Sequence, residues 1–330
     1  MKTRIVIGVS LIVVVLTMAN LFVSHAQQAT GEPTQLTGNG APPLSNPLKV
    51  ALLKWYNANR VPTTFPVGNQ PYGVAFDGQN IWTANFGDGT VTKLRANDGQ
   101  VLGTFQVGIE PYGVTFDGAN IWVSNVGDGT VDKLRASDGK NLGIFKLSVP
   151  ATWMTFDGAD IWVPNGYSTL TKLRASDGKN LGNFTVGVGP IATAFDGANV
   201  WVTNSGDGTV DKVRASDGKM LGTFAVGSGL AGVAFDGANM WVASGGNGTV
   251  VKLRASDGAV LGMFNTPISP YGIVFDGWNI WVTGTYVYEL RASDGAILEF
   301  FGLFTNTIGA AFDGANVWIA GLSVNKVGKL

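Results

Sequence analysis

Pro71-Tyr-Gly-Val-Ala-Phe-Asp-Gly-Gln-Asn-Ile-Trp-Thr-Ala-Asn85, continued by Phe86-Gly-Asp-Gly-Thr-Val-Thr-Lys-Leu-Arg95 and Ala96-Asn-Asp-Gly-Gln-Val-Leu-Gly-Thr-Phe105, is the stretch that decides the fold. It returns seven times, complete or clipped. Its clearest mark is Phe-Asp-Gly, whose phenylalanine falls at Phe76, Phe116, Phe156, Phe195, Phe235, Phe275 and Phe312, at intervals of 40, 40, 39, 40, 40 and 37 residues. A fixed period of this size marks a repeat architecture.

Each unit divides into four short apolar runs. In the first unit, run A is Gly73 to Phe76, run B is Asn80 to Asn85, run C is Thr90 to Ala96 and run D is Val101 to Val107. Asp77-Gly78, Gly87-Asp88-Gly89 and Asp98-Gly99 separate them. Asp-Gly between β-branched and aromatic runs favours hairpin turns, because glycine accepts a positive φ without a Cβ clash. The runs are too short for helices. Each unit therefore reads as a four-stranded antiparallel meander, which cannot bury two faces alone but can when stacked as a propeller blade. Trp82, Trp122, Trp162, Trp201, Trp241, Trp281 and Trp318 hold one position of run B. They are expected to fill the spaces between blades, with ligand stacking as the alternative.

The strand count predicts closure. Run D follows only the first six units, and the last run C is Lys326 to Leu330. Val61-Pro-Thr-Thr-Phe-Pro-Val-Gly68 matches Val101-Leu-Gly-Thr-Phe-Gln-Val-Gly108. The N-terminal strand is thus expected to complete the last blade and remove the open edges of a linear stack. The fold expected is all-β: a closed seven-bladed β-propeller over residues 61–330, with one short N-terminal helix before it.

The segments ahead of the repeats have other roles. Met1 to Arg4 is basic, Ile5 to Val23 is uncharged and mainly apolar, and Ser24-His25-Ala26 has small residues at its outer positions. Residues 1–26 read as a secretory signal or, because the apolar run nearly spans a bilayer, as an uncleaved anchor. The protein is therefore expected to be exported, to the periplasm, the cell surface or the medium. Cleavage would remove the one histidine, His25. Residues 27–45 are rich in Gly, Pro, Thr and Gln and read as a flexible linker. Over residues 46–60, Asn46 can cap and Pro47 can open a helix whose Leu48, Ala51, Leu52 and Trp55 share a face. Such a helix could pack on the propeller or dock a partner or membrane.

Composition narrows the chemistry. Of 330 residues, 45% are hydrophobic and 14% charged, with 47 glycines, no cysteine and a formal net charge of −1. There is no basic field for a nucleic acid, no disulfide framework and no thiolate chemistry. With no histidine in the repeats the commonest general base is missing. No Ser/His/Asp set and no phosphate loop occurs, so no catalytic residue is assigned.

Alternating strands put the D–A and B–C connections on one face and the A–B and C–D turns on the other. On the second face, Asp77, Asp117 and their equivalents are expected to pair with Arg95, Arg135 and theirs, as a structural set of turns and ion pairs. Recognition of an acidic ligand by the arginines is the rival reading. On the first face, Tyr72, Tyr112 and Tyr271 occupy one aligned position in units one, two and six. Unit three places Trp153 where units one, two, five, six and seven have glycine, and unit six loses three residues around Tyr286 and Tyr288. With Glu110, these residues form a candidate ligand site, an aromatic arc suited to a planar or sugar-like molecule. The alternative is packing of the channel wall. Asp88, Asp128 and Asp207 in the B–C hairpins are normal turn residues; calcium is the metal such oxygens would take, but no metal or cofactor is assigned.

The repeat Phe-Asp-Gly-Ala-Asn-Ile-Trp-Val…Gly-Asp-Gly-Thr-Val-Asp-Lys-Leu-Arg-Ala-Ser-Asp-Gly resembles bacterial YncE-type, YVTN/NHL-like propeller repeats over about residues 61–330. That resemblance implies a seven-bladed propeller. The same broad group includes the streptogramin lyases, which use a histidine base and a divalent metal, and it resembles the calcium-dependent gluconolactonases. No residue of either catalytic set can be placed on this sequence. The function expected is a non-catalytic extracytoplasmic binding module, monomeric, taking a small molecule or a protein on the D–A/B–C face. The alternative is a metal-assisted lyase or lactonase-type hydrolase at the channel mouth.

Overall fold

The computed structural model describes residues 62–147 and 150–330. The expected signal segment, linker and amphipathic helix lie outside the described residues. Among those residues the strands form seven four-stranded antiparallel sheets. Blade one is Pro71–Phe76, Asn80–Asn85, Thr90–Arg95 and Val101–Gln106, strands A to D from the channel outward. Blades two to six repeat this order. Blade seven takes strands A to C from Thr307–Phe312, Val317–Gly321 and Lys326–Lys329, and its strand D is Thr63–Pro66. The closing register runs from Thr63 opposite Lys329 to Pro66 opposite Lys326.

The tryptophans are where the period puts them. All seven are 0–1% exposed. Burying one aromatic side chain removes about 150–250 Å² from water, roughly 4–6 kcal/mol gross as an upper bound. Three kinds of neighbour then fix the indoles. The first is the Phe-Asp-Gly aspartate of its own blade, whose Oδ2 accepts the indole N–H at 2.7–2.8 Å in every blade. Its Oδ1 accepts backbone N–H groups of the same turn, as Asp77 does from Gln79 and Asn80. The second is a phenylalanine of strand D, with ring centroids 5.2–5.6 Å apart; Phe65 of the closing strand serves Trp318 in this way.

The third is a lysine of strand C. Lys93, Lys133, Lys172, Lys212, Lys252 and Lys329 hold their ammonium 4.8–5.4 Å from the ring centre. Each donates at 2.6–2.8 Å to an alanine carbonyl in the C–D turn of the next blade. The lysine therefore links neighbouring blades, and Lys329 to Ala96 O links blade seven to blade one. Blade six has Glu289 at this position, accepting from Asn279 Nδ2 at 2.7 Å. Among the described residues, blade seven takes its strand D from Thr63–Pro66 instead of continuing from its strand C, so the alanine carbonyl of a C–D turn, which the lysines of the other blades reach, is not repeated there. The phenylalanines also lean on the next blade. Phe65 lies against Gly99, where φ is +72° and any Cβ would enter the ring.

One expected pairing is corrected. The arginines do not reach the Phe-Asp-Gly acids. Arg95 pairs with Asp98 and Arg135 with Asp138, three residues on, and the other four follow the same rule at 2.9–3.4 Å. Asp77 and Asp117 instead hold Trp82 and Trp122. The reason is local. The C–D turn brings an aspartate back beside its own arginine, whereas the Phe-Asp-Gly carboxylate is already filled by an indole and two backbone donors. These ion pairs are about half exposed, so each is worth about 0–1 kcal/mol.

Candidate functional site at the channel mouth

Strand A carries the site. Its second residue points to the channel on the D–A/B–C face, and its third is glycine in blades one, two, five, six and seven, because the inner strands approach too closely for a Cβ. On Gly113 such an atom would lie 2.8 Å from Thr152 O. Blade three breaks this rule with Trp153. Its strand A shortens to Thr155–Phe156, and Trp153 pairs with blade four through a parallel bridge to Ala192 and an N–H donated to Ile191 O at 3.1 Å. That displacement makes room for the indole.

Four of the expected site residues come together. Ring centroids are 4.8 Å apart for Tyr72 and Tyr112, 4.9 Å for Tyr112 and Trp153, and 5.2 Å for Trp153 and Tyr271. The Tyr112 and Tyr271 hydroxyls hydrogen-bond at 2.6 Å. Those tyrosines belong to blades two and six, which are not neighbours, so the bond crosses the channel. The aromatic arc expected from the sequence is thus a self-packed quartet over the channel, with all four side chains half-buried. Beneath it lies a cavity of about 130 Å³ walled by the strand-A residues Val74, Thr193 and Val233 and by Met154, just ahead of the shortened strand of blade three. Burial, then the neighbouring Tyr271, pushes the Tyr112 phenol far above its ordinary range. Burial, Tyr271 and Glu110 raise Tyr72. Both are neutral phenols at pH 7, suited to hydrogen bonding rather than to proton abstraction.

The other two expected residues are not in the quartet. Tyr286 packs edge-on against Phe300 of strand D, with centroids 5.6 Å apart, on the outer side of blade six; Tyr288 lies against the same ring. The shortened B–C connection of that blade draws both away from the channel. Glu110 lines an open groove of about 900 Å³ between blades one and two, beside the quartet, with Phe86, Asp88, Asp128 and Asp132. Phe86 joins the two features, its ring 4.9 Å from Tyr72. Glu110 adopts φ +55° at a loop position where blades four and five use Gly189 and Gly229, a backbone state that costs a non-glycine residue about 1–2 kcal/mol.

The B–C hairpin acids act on the backbone. Asp88, Asp128 and Asp207 accept the N–H of Asn69, Ile109 and Val188, tying each D–A loop to its own blade at 2.5–3.0 Å. Among the described residues, no three histidine, aspartate or glutamate side chains gather as a metal site would require.

The sequence reading passed over Asp132 and Asp211, the third residues of strand C in blades two and four. Both are buried. Asp132 Oδ2 accepts from Gly108 N at 3.1 Å and from Asn125 Nδ2 at 2.6 Å, and Oδ1 accepts from Asn141 Nδ2 at 2.6 Å. Blade one has Thr92 here, and there the Gly68 N–H goes to Asn85 Oδ1 at 3.1 Å. The aspartate captures that donor and leaves Asn125 Oδ1 without a partner; Asp211 does the same to Asn204. Val-Asp-Lys in place of Val-Thr-Lys was the available signal. Burial raises the Asp132 carboxyl above its usual range against the pull of its hydrogen bonds.

No family model matches the sequence, and no curated protein does. Solved structures are similar in fold. Hydrazine synthase of Kuenenia stuttgartiensis aligns with a TM-score of 0.72 at 16% identity, over 82% of this chain and 97% of that one. A streptogramin B lyase structure gives 0.70 at 19%, over 82% and 96%. The Cps50 (Swd1) β-propeller domain of Myceliophteria thermophila gives 0.69 at 12%, over 81% and 97%. At these identities the likeness is one of fold: the described chain is a seven-bladed β-propeller whose structural neighbours include enzymes.

Proposed function

We propose that this propeller is an exported, YncE-type binding module that takes its ligand on the D–A/B–C face without transforming it. The observation carrying this reading is the quartet of Tyr72, Tyr112, Trp153 and Tyr271. Half-buried aromatic rings with neutral hydroxyls over a stoppered channel offer stacking and hydrogen bonding to a planar or sugar-like molecule. The repeat motif supports the YncE-type reading, and residues 1–26 support export. Tryptophan emission tests the site, because Trp153 is the half-buried indole at this mouth. Titration with aromatic and saccharide ligands should shift the wild-type spectrum and leave Trp153→Leu unresponsive, with unchanged thermal stability as the control for folding. Ligand turnover during the titration, or equal binding by Trp153→Leu, would replace this reading.

A further inference from the structure

The A–B and C–D turns form the face opposite the quartet, and its rim is not the same all round. In blades one to six strand D begins there with an exposed leucine at its second position, so the leucine belongs to the repeat. What precedes it divides the ring. Blades two, three and four have Lys140-Asn141, Lys179-Asn180 and Lys219-Met220. Blades five, six and one have Ala259-Val260, Ala296-Ile297 and Gln100-Val101. Val260, Ile297 and Val101 are 44–45% exposed. The arginine and aspartate of each of these three C–D turns pair with each other. One half of the rim is therefore apolar with its turn charges cancelled, and the other half carries lysines.

Trp278 stands in the apolar half. It lies in the A–B turn of blade six and is 84% exposed. Its chain neighbour Asn279 is paired with Arg291 at the start of the C–D turn, which puts it on the same blade and face as Ile297 and Leu298. Five other blades have alanine at this position and blade one has Gln79. The repeat thus needs no aromatic here, and the core tryptophan of blade six is Trp281. A solvent-facing indole joined to aliphatic surface marks an interaction site.

The chain also enters on this half. Strand D of blade seven begins at Thr63, opposite Lys329, and Lys329 reaches Ala96 O in the C–D turn of blade one. The entry point is thus on the face of the A–B and C–D turns, between blades six and one. Ahead of it in the sequence is the uncharged, mainly apolar run Ile5 to Val23.

We infer that this half of the rim rests on a lipid bilayer, with Trp278 at the level of the headgroups and the aliphatic starts of strands D against the acyl boundary. Exposed tryptophan and aliphatic groups are what interfacial contact uses. An apolar run held in the bilayer would tether the propeller at this edge and raise the local concentration of this surface at the membrane. The mouth with the quartet then faces away from the lipid. The inference rests on the reading of residues 1–26 as a retained anchor and is independent of what binds at the quartet.

The chain has no cysteine, so one introduced thiol reports one position. Ala296→Cys on the apolar half and Lys179→Cys on the other, each carrying an environment-sensitive fluorophore in the full chain, are reconstituted with phosphatidylcholine vesicles and quenched with iodide. Quenching at 296 should fall severalfold and its emission should shift to the blue, while 179 stays as in buffer. Adding Trp278→Ala and Ile297→Asn should abolish that protection although the chain still floats with the vesicles. Both replacements are the repeat's own, as at Ala238 and Asn180, and unchanged thermal stability is the control for folding. Anionic lipid should add nothing. Equal quenching at the two positions, protection only with anionic lipid, or protection undiminished in the double replacement would overturn the inference. So would protection at 296 before vesicles are added, which would assign the rim to a second copy of the chain. A chain that does not float would remove the anchor reading and the inference with it. In each case the Trp153→Leu titration still decides the ligand mouth by itself.

Discussion

Replacing Asp132 by threonine should make the protein more stable, and the repeat itself supplies the reason. Blades one and two differ at this position. With Thr92, the Gly68 N–H satisfies Asn85 Oδ1, and the Asn85 amide donates to Thr92 Oγ1 at 2.8 Å. With Asp132, a buried carboxylate takes the equivalent N–H and Asn125 Oδ1 is left unpaired. Threonine at 132 should return the Gly108 N–H to Asn125 and remove the buried charge. Satisfying the orphan is worth about 1–3 kcal/mol, against about 1 kcal/mol for the lost bond to Asn141, which faces solvent. The net expectation is a gain of about 1–2 kcal/mol at pH 7, at roughly 2–4 °C in Tm per kcal/mol for a domain somewhat smaller than this one. The gain should depend on pH. Asp132 has a folded-state pKa raised by burial, so the native state favours its protonated form. Its contribution is best below the ordinary carboxylate range and declines as pH rises through the raised value. The advantage of Asp132→Thr should therefore be large at pH 7 and small at pH 3. Urea unfolding at the two pH values measures it. Destabilisation by more than about 1 kcal/mol at pH 7, or an equal gain at both pH values, would refute the reasoning.

Phe65→Ala should cost about 2–4 kcal/mol, since it opens the stack on Trp318 and the contact with Gly99 that close the ring; a loss no greater than at an exposed strand-D leucine such as Leu102 would mean that closure does not depend on it. Lys93→Met should cost about 1–3 kcal/mol by leaving Ala136 O without its donor and removing the charge over Trp82, and denaturant midpoints that match wild type would count against the inter-blade link. Stability should also fall steeply in acid. At Asp196, Asp236 and Asp313 burial acts upward, but the indole N–H and the turn donors outweigh it and hold the carboxyls below their usual range. Stability from them is present above the unfolded-state pKa and lost as pH falls through the lowered one. Asp236→Ala should therefore flatten the acid limb of a pH–Tm curve, and an unchanged limb would show that these turns do not set it.

How much of this was legible in the sequence varies residue by residue. Period, turn chemistry and the match of Val61–Gly68 to strand D yielded the blade count and the identity of the closing strand, because each depends on local pattern and on counting. Tyr72, Tyr112, Trp153 and Tyr271 could be gathered on one face by alternation of strand direction. The arginine partners were misread because spacing along the chain cannot rank two nearby acids. Whether the aromatics meet a ligand or one another was equally closed to it: that follows from how wide the ring is and how far each side chain reaches across it.

Sequence alone, then, determined everything that repeats: strands, turns, the buried tryptophan and the circular order of blades. Tertiary structure decided what happens where repeats differ. Tyr112 meets Tyr271 across 159 residues of chain, Lys329 reaches Ala96 across 233, and Asp132 takes a donor that a threonine would have left to its neighbour. Such contacts depend on distances set by seven sheets packing around one axis, and no stretch of a single blade contains them.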